Sequence, residues 1–108
     1  MISPNVNIYT IIVTYNGMRW VDACFGSLRG STVPLHTVVV DNGSTDGTPQ
    51  RIAERFPEVH LIRSDENLGF GRGNNAGIRY ALGQGATHFF LLNQDAWIYP
   101  DTVERLLG

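Results

Sequence analysis

Two apolar runs in this chain each end on a carboxylate, and these acids are the first residues that could do chemistry. Val38-Val39-Val40 leads into Asp41-Asn42-Gly43-Ser44-Thr45-Asp46-Gly47, and Phe89-Phe90-Leu91-Leu92 leads into Asn93-Gln94-Asp95. Continuous apolar runs are the pattern of strands buried on both faces, as in a parallel sheet covered by helices. Ligands of such sheets bind beyond the carboxyl ends of the strands. Asp41 and Asp95 are therefore expected on one rim. Asp41 should point outward there and accept an N–H from a nucleobase or a hydroxyl from a ribose. Ala96-Trp97-Ile98-Tyr99 separates Asp95 from the helix expected near Pro100, so Asp95 is not that helix's N-cap. A carboxylate completed by water and substrate phosphates is a common way to hold Mg2+ or Mn2+. Such a cation offsets the charge that builds on a departing diphosphate.

A third stretch, Glu66-Asn67-Leu68-Gly69-Phe70-Gly71-Arg72-Gly73-Asn74-Asn75, carries a G-x-G-x-G string. It sits in the third strand–helix unit rather than the first, so it is not a dinucleotide fingerprint, and no Gly-Lys-Ser/Thr makes it a P-loop. Its glycines allow close backbone approach to a ligand and leave helix-start N–H groups for an anion. Arg72 is suited to a phosphate and equally to a solvated loop. Asn42 to Gly47, taken alone, also reads as turn punctuation. His36, His60 and His88 are scattered without metal-ligand spacing and read as structural or surface residues.

The elements that position these residues alternate strand and helix. Ile8 to Thr14 is the first expected strand, and Met18 to Leu28 a helix with Val21, Cys24, Phe25 and Leu28 on one face. Leu35 to Val40 is the second strand. Thr48 is expected to cap the second helix, with Pro49 at its first position and Ile52, Ala53 and Phe56 buried. Val59 to Arg63 is the third strand. The third helix is expected to start near Arg72 to Asn75, turn Ile78, Ala81 and Leu82 inward, and end at Gly83 and Gly85. Thr87 to Leu92 is the fourth strand, and a last helix from Pro100 should bury Val103, Leu106 and Leu107. This alternation predicts an α/β, Rossmann-like parallel sheet of order 3-2-1-4 with helices on both faces. The topological switch point then lies between strands one and four, flanked by Thr14-Tyr15-Asn16 and Asn93-Gln94-Asp95.

Length and composition bound the partners. The chain has 108 residues, enough for one domain with a modest core, and a net charge of −2 that points away from nucleic acid. Cys24 is the sole cysteine, which excludes an internal disulfide and fits a reducing compartment. Its place on an apolar helix face makes it a buried thiol, not a nucleophile. Ile8 to Val13 is too short for a membrane span or a signal segment. These features lead to the expectation of a cytoplasmic chain, with membrane attachment of a larger enzyme left open.

Four stretches together resemble the N-terminal, nucleotide-sugar-binding half of a family 2 glycosyltransferase with the GT-A fold. They are Val13 to Gly17, Val39 to Thr48, Asn67 to Ile78, and Leu91 to Asp95, in the family's order and covering the chain from about Asn7 onward. The resemblance implies that Thr14, Tyr15 and Asn16 line the nucleotide pocket and that Asp41 binds the ring N–H of uracil or thymine. Asn93-Gln94-Asp95 falls at the D-x-D position, where the final acid binds Mg2+ or Mn2+ and the donor's diphosphate. Asn93 departs from that pattern and puts its ribose contact in question. Many relatives carry an arginine at the place of Asn74, and Arg72 is expected to take over its phosphate contact.

The glycine-rich motif with Asn-Gln-Asp is most similar to rhamnosyltransferases of cell-surface polysaccharide synthesis. That implies a dTDP- or UDP-linked sugar as donor and a hydroxyl acceptor on a glycan or lipid-linked glycan. The family's inverting reaction needs a general base from an acceptor half, and no residue up to Gly108 matches it. Residues 1–108 are thus expected to be the donor-binding part of a larger domain, inactive alone, with an open edge at strand four through which copies could associate. The rival reading is a non-catalytic nucleotide-sugar-binding module. A nucleotidyltransferase or a receiver-like domain fits less well. Thr14-Tyr15-Asn16-Gly17-Met18 is not a basic glycine loop, and strand three lacks a terminal phospho-acceptor acid.

Overall fold

The computed structural model describes residues 5–108. Four strands, β1 (Ile8–Thr14), β2 (His36–Asp41), β3 (His60–Arg63) and β4 (His88–Leu91), form one sheet of order β3-β2-β1-β4. All three pairings are parallel, as the alternation of elements requires. A 3-10 turn (Met18–Trp20) leads into α1 (Val21–Arg29), which joins β1 to β2; α2 (Thr48–Arg55) joins β2 to β3; α3 (Phe70–Gly83) joins β3 to β4; and α4 (Thr102–Leu106) follows. The chain is thus an α/β domain of Rossmann-like type. Among the described residues no helix is long and apolar enough to cross a membrane.

Two apolar layers hold the sheet. On one face Ile8 and Ile12 of β1 meet Val39, Val21, Cys24, Phe25, Leu28, Ile52, Phe56 and Val103, which come from β2, α1, α2 and α4. On the other, Tyr9 and Ile11 meet Val38 and Ala81 beneath α3. This is the two-residue period of a strand: alternate β1 side chains serve opposite layers. Every β1 residue is buried, and Val38, Val39 and Val40 are each 0% exposed, so the central strands match the apolar-run reading. β4 does not. It lies at the sheet edge, and Phe89 and Leu91 are 37% and 48% exposed.

α3 packs unusually close to β1. A Cβ built on Gly77 would lie 2.7 Å from Ile11 Cγ2, and one on Gly73 would lie 3.0 Å from both Val13 methyl carbons. Residues four apart share a helix face, so these two glycines form one groove that receives the strand. That fit carries the helix back to Phe70, earlier than the Arg72 start expected from sequence.

Other expectations about helix faces are also corrected. Gly47, in the left-handed region at φ 91, caps α2, and Thr48 is instead its first, fully buried residue. Ala53 is exposed, and so are Leu82, Leu106 and Leu107 at 58%, 68% and 38%. The final helix begins at Thr102 rather than Pro100 and is too short to turn both terminal leucines inward.

Candidate active site

The site lies where the β1–β4 ladder stops. β1 pairs with β4 only from Ile8↔His88 to Ile11↔Leu91, whereas it continues beside β2 to Thr14↔Asp41. Leu92 N–H donates to the Ile11 carbonyl at 3.1 Å, and the two chains then part. The opening is a cleft of about 410 Å³. Val13, Tyr15 and Trp20 line it from β1 and the turn that follows, Asn42, Asn67, Gly69 and Phe70 from the end of β2 and the start of α3, and Asn93, Gln94 and Asp95 from the loop after β4. A larger hollow of about 900 Å³, lined by Val6, Val33, His88 and Glu104 among others, sits at the opposite, amino-terminal end of the strands. It contains none of the motif residues.

The loops after β1 and β2 are stitched together by side chains. Asn16, at φ 47, donates its backbone N–H to Ser44 Oγ at 2.8 Å and accepts the Thr45 N–H on its Oδ1 at 2.8 Å. Gly17 N–H donates to Thr48 Oγ1 at 3.0 Å, and Met18 N–H to Asp46 Oδ2 at 3.1 Å. Thr48 donates both its N–H and its hydroxyl to Asp46 Oδ1. Partial burial pushes the Asp46 acid up. The Thr48 hydroxyl and the Met18 and Thr48 N–H groups outweigh it and hold the carboxyl below its ordinary range.

Asp41 departs from its expected orientation. Its side chain is 2% exposed and turned inward. Oδ1 accepts the Thr14 hydroxyl at 2.7 Å and the Ser44 hydroxyl at 2.6 Å, and Oδ2 accepts the Ser44 N–H at 2.9 Å. The next residue, Asn42, is equally buried at 2% exposure, but it turns to the other face of the sheet and is among the residues lining the cleft. It donates from Nδ2 to the Gly69 carbonyl at 3.2 Å and accepts the Leu68 N–H on Oδ1 at 3.3 Å, which ties β2 to the glycine-rich turn. Side-chain parity explains the exchange: Asp41 follows Val39 toward the α1–α2 layer, and Asn42 follows Val40 toward α3.

The remaining expected residues divide into two groups. Tyr15, Asn93 and Asp95 line the cleft. Thr14 is buried at 1% exposure, Asn16 is exposed, Arg72 is exposed on the first turn of α3, and none of the three is among the lining residues. Asn74 donates from Nδ2 to the Phe70 carbonyl at 3.1 Å, within its own helix. Sequence reading missed Asn42, Trp20, Phe70 and the work of Gln94. Parity could have revealed Asn42, but the two rings carry no such local signal.

The cleft is chemically asymmetric. Tyr15 and Phe70 expose 46% and 60% of their surface, and Trp20 is half-buried beside them. Asp95 is the sole acid among the lining residues, and it is exposed. Its charge is felt below the cleft: the buried Cys24 thiol is pushed up to about 12, first by burial and then by the Asp95 carboxylate. Cys24 is therefore inert as a nucleophile. No group of three or more His, Cys, Asp or Glu side chains poised to hold a metal occurs among the described residues. Asp95 can supply one ligand, leaving the other positions to water or a bound phosphate.

Known proteins are similar to this chain in sequence and in fold. A dTDP-rhamnosyl transferase of Shigella flexneri, RfbF, is 34% identical over 103 residues, covering 94% of this chain and 34% of its own length. An N-acetylglucosaminyl-diphospho-decaprenol L-rhamnosyltransferase of Mycobacterium tuberculosis is 39% identical over 66 residues, covering 60% of this chain and 22% of its own. The chain thus spans about a third or less of these relatives. Among solved structures, the Pyrobaculum calidifontis mannosyltransferase PcManGT, in complex with GDP-Man and Mn2+, superposes with a TM-score of 0.78 at 28% identity. That match covers 94% of this chain and 31% of the mannosyltransferase. S. aureus TarS 1-349 in complex with UDP gives a TM-score of 0.79 at 21% identity, covering 94% and 31% of the two chains, and shows the shared fold. The family model for glycosyl transferase family 2 matches residues 9–108, and the chain belongs to that family.

Proposed function

We propose that the cleft binds the nucleoside diphosphate of a sugar donor. The whole enzyme, on this reading, transfers the sugar with inversion to a hydroxyl of a glycan or lipid-linked glycan in cell-surface polysaccharide synthesis. One observation carries the reading: one cleft at the switch point is lined both by the exposed rings of Tyr15 and Phe70 and by an exposed carboxylate, Asp95. A nucleobase stacks on rings of this kind, at roughly 1–3 kcal/mol per base. The diphosphate then reaches the Asp95 side. Asp95 would hold Mg2+ or Mn2+, which when bound supplies positive charge against the departing diphosphate. The Mn2+ and GDP-Man of the mannosyltransferase complex support this assignment, and the dTDP-rhamnosyl transferase supports a dTDP-linked or UDP-linked donor.

The chain's own residues have separate tasks in this reading. Tyr15 stacks on the base, and Thr14 and Asp41 hold the loop beneath it. Asn16 keeps the first loop against the second, Asn93 contacts the ribose, and Arg72 swings from the rim of α3 to a phosphate. The acceptor's general base is assigned to another part of the enzyme, because Asp95 is already committed and no second acid among the described residues lines the cleft. Residues 1–108 therefore bind donor without transferring sugar. The open edge of β4 is a route for self-association, which sedimentation at rising concentration would show as a mass above the monomer. The rest of the enzyme brings the cleft to its acceptor at the cytoplasmic membrane face.

Calorimetric titration of UDP and dTDP, with and without Mn2+, tests the donor site. Metal-dependent binding that is lost in Asp95→Ala is expected. Binding that is indifferent to both metal and Asp95 would refute the assignment.

A further inference from the structure

The loop that carries Asp95 is held to the rest of the site by one side chain. Leu92, the residue after β4, is the last one bonded to β1, and the next anchor is Ile98, whose N–H donates to Ser27 Oγ at 3.1 Å. Between them, among the described residues, Ala96 N–H reaches only the Asn93 carbonyl of the same loop. Gln94 alone crosses the cleft. Its Oε1 accepts the Tyr15 N–H at 3.0 Å, and its Nε2 donates to the Tyr15 carbonyl at 3.1 Å. The amide thus takes both backbone groups of Tyr15, as a neighbouring strand would, at the point where the β1–β4 ladder has stopped.

Gly17 keeps the space this bridge needs. A Cβ there would come within 2.2 Å of Gln94 Oε1. The backbone at Gly17, with φ −104 and ψ 21, is open to any residue, so the requirement is for room rather than for a left-handed turn.

We propose that Gln94 is a positioning residue for the donor site: it fixes the distance between the Tyr15 ring and the Asp95 carboxylate. The inference rests on the donor-binding reading above. A ligand that spans ring and carboxylate gains from both contacts only if their separation is set beforehand, because the second contact is then nearly intramolecular. A ligand that touches only the ring side does not feel the bridge. That side is independently held by the Asn16, Gly17 and Met18 bonds to the second loop.

The test compares UDP with Mn2+, which spans the cleft, against uridine, which fills the ring side alone. Quenching of Trp fluorescence reads binding, since Trp20 lines the cleft. Gln94→Met keeps the bulk and removes both hydrogen bonds. It is expected to weaken UDP–Mn2+ roughly tenfold, as the loss of two hydrogen bonds of ordinary net strength would, with uridine changed less than about twofold. Gly17→Ala, which displaces the amide while leaving Gln94 in place, should give the same loss, and the double variant should be no worse than either single one. Faster hydrogen exchange of the Tyr15 amide in each variant, with an unchanged circular dichroism spectrum, would show that the bridge has opened in a folded chain.

Unchanged UDP–Mn2+ affinity in Gln94→Met overturns the proposal, and so does an equal fall for uridine and UDP–Mn2+. A parent chain that binds neither ligand refutes the donor-site reading and the inference with it. Tyr15 amide exchange would still report on the bridge separately.

Discussion

Asp41 offers the sharpest separation between a residue that touches the ligand and one that builds the wall behind it. Its carboxylate is 2% exposed and accepts three hydrogen bonds, from the Thr14 hydroxyl and from the N–H and hydroxyl of Ser44. Consider Asp41→Asn, which preserves shape. The best fit keeps the amide oxygen on the Ser44 N–H and turns the NH2 toward two hydroxyls, which must then change from donors to acceptors. Hydrogen bonds to a charged group are worth about 1.5–3 kcal/mol and neutral ones about 1, so three such replacements forfeit at least roughly 1.5 and at most roughly 6 kcal/mol. Relief from burying a charge returns part of that. The net loss expected is about 1–2 kcal/mol, or roughly 4–16 °C in Tm for a domain of this size. Asp41→Ala strands all three donors and should lose about 3 kcal/mol. Urea unfolding measures both, and a double-mutant cycle with Ser44→Ala should show a coupling of about 1 kcal/mol. The preference among UDP, dTDP and GDP should stay as in the parent chain. An Asp41→Asn variant with parental stability and altered base preference would refute the reasoning, because the carboxylate would then have to meet the base directly.

Three further outcomes follow from the packing and the loops. Gly77→Ala should destabilise by about 1–2 kcal/mol, since its Cβ would press on Ile11 Cγ2 at 2.7 Å, whereas Gly26→Ala, mid-helix with open space, should stabilise by about 0.5–1 kcal/mol in the same urea assay. Thr10, fully buried with its hydroxyl unpartnered among the described residues, should give way to valine with a gain of about 1 kcal/mol. Asp46 has a lowered folded pKa, so the bonds it accepts from Met18 and Thr48 are fully present above the ordinary carboxylate range. They are lost as pH falls below that range through the lowered folded value. NMR titration of the Met18 amide should follow that loss, and Asp46→Asn should abolish the step.

Much of the fold was legible because it rests on period and punctuation. The parallel order came from alternating apolar runs and helical stripes, and Val21, Cys24, Phe25 and Leu28 are the buried face of α1 that their spacing predicts. The misreadings share a physical cause, namely that local pattern does not say what lies opposite. Gly71 and Gly73 argue locally against a helix, yet α3 runs through them because Gly73 and Gly77 admit the β1 side chains. Leu82, Leu106 and Leu107 have helical spacing but face no partner layer. The motifs converge on one cleft, and Tyr15, Asn93 and Asp95 are among its lining residues. They did not show which of the buried Asp41 and Asn42 turns toward α3 and the cleft, a question settled only by which layer covers each face of β2.

The three loops of the site are not equivalent, and the difference divides stability from recognition. The loops after β1 and β2 hold each other through Asn16, Gly17, Met18, Ser44, Thr45, Asp46 and Thr48, and are anchored on the buried Asp41. Substitutions there disturb a bonded network resting on the core, so they register as lost folding free energy. The loop after β4 adds almost nothing to that network and hangs across the cleft from the Gln94 amide. Its residues are expected to change with little effect on folding, and each such change would alter where Asp95 stands relative to the Tyr15 ring, which we propose receives the base. A sheet whose ladder stops early on one side thus provides a rigid wall and an adjustable one. Donor variation is most easily accommodated on the adjustable wall, where the diphosphate and the sugar beyond it would lie.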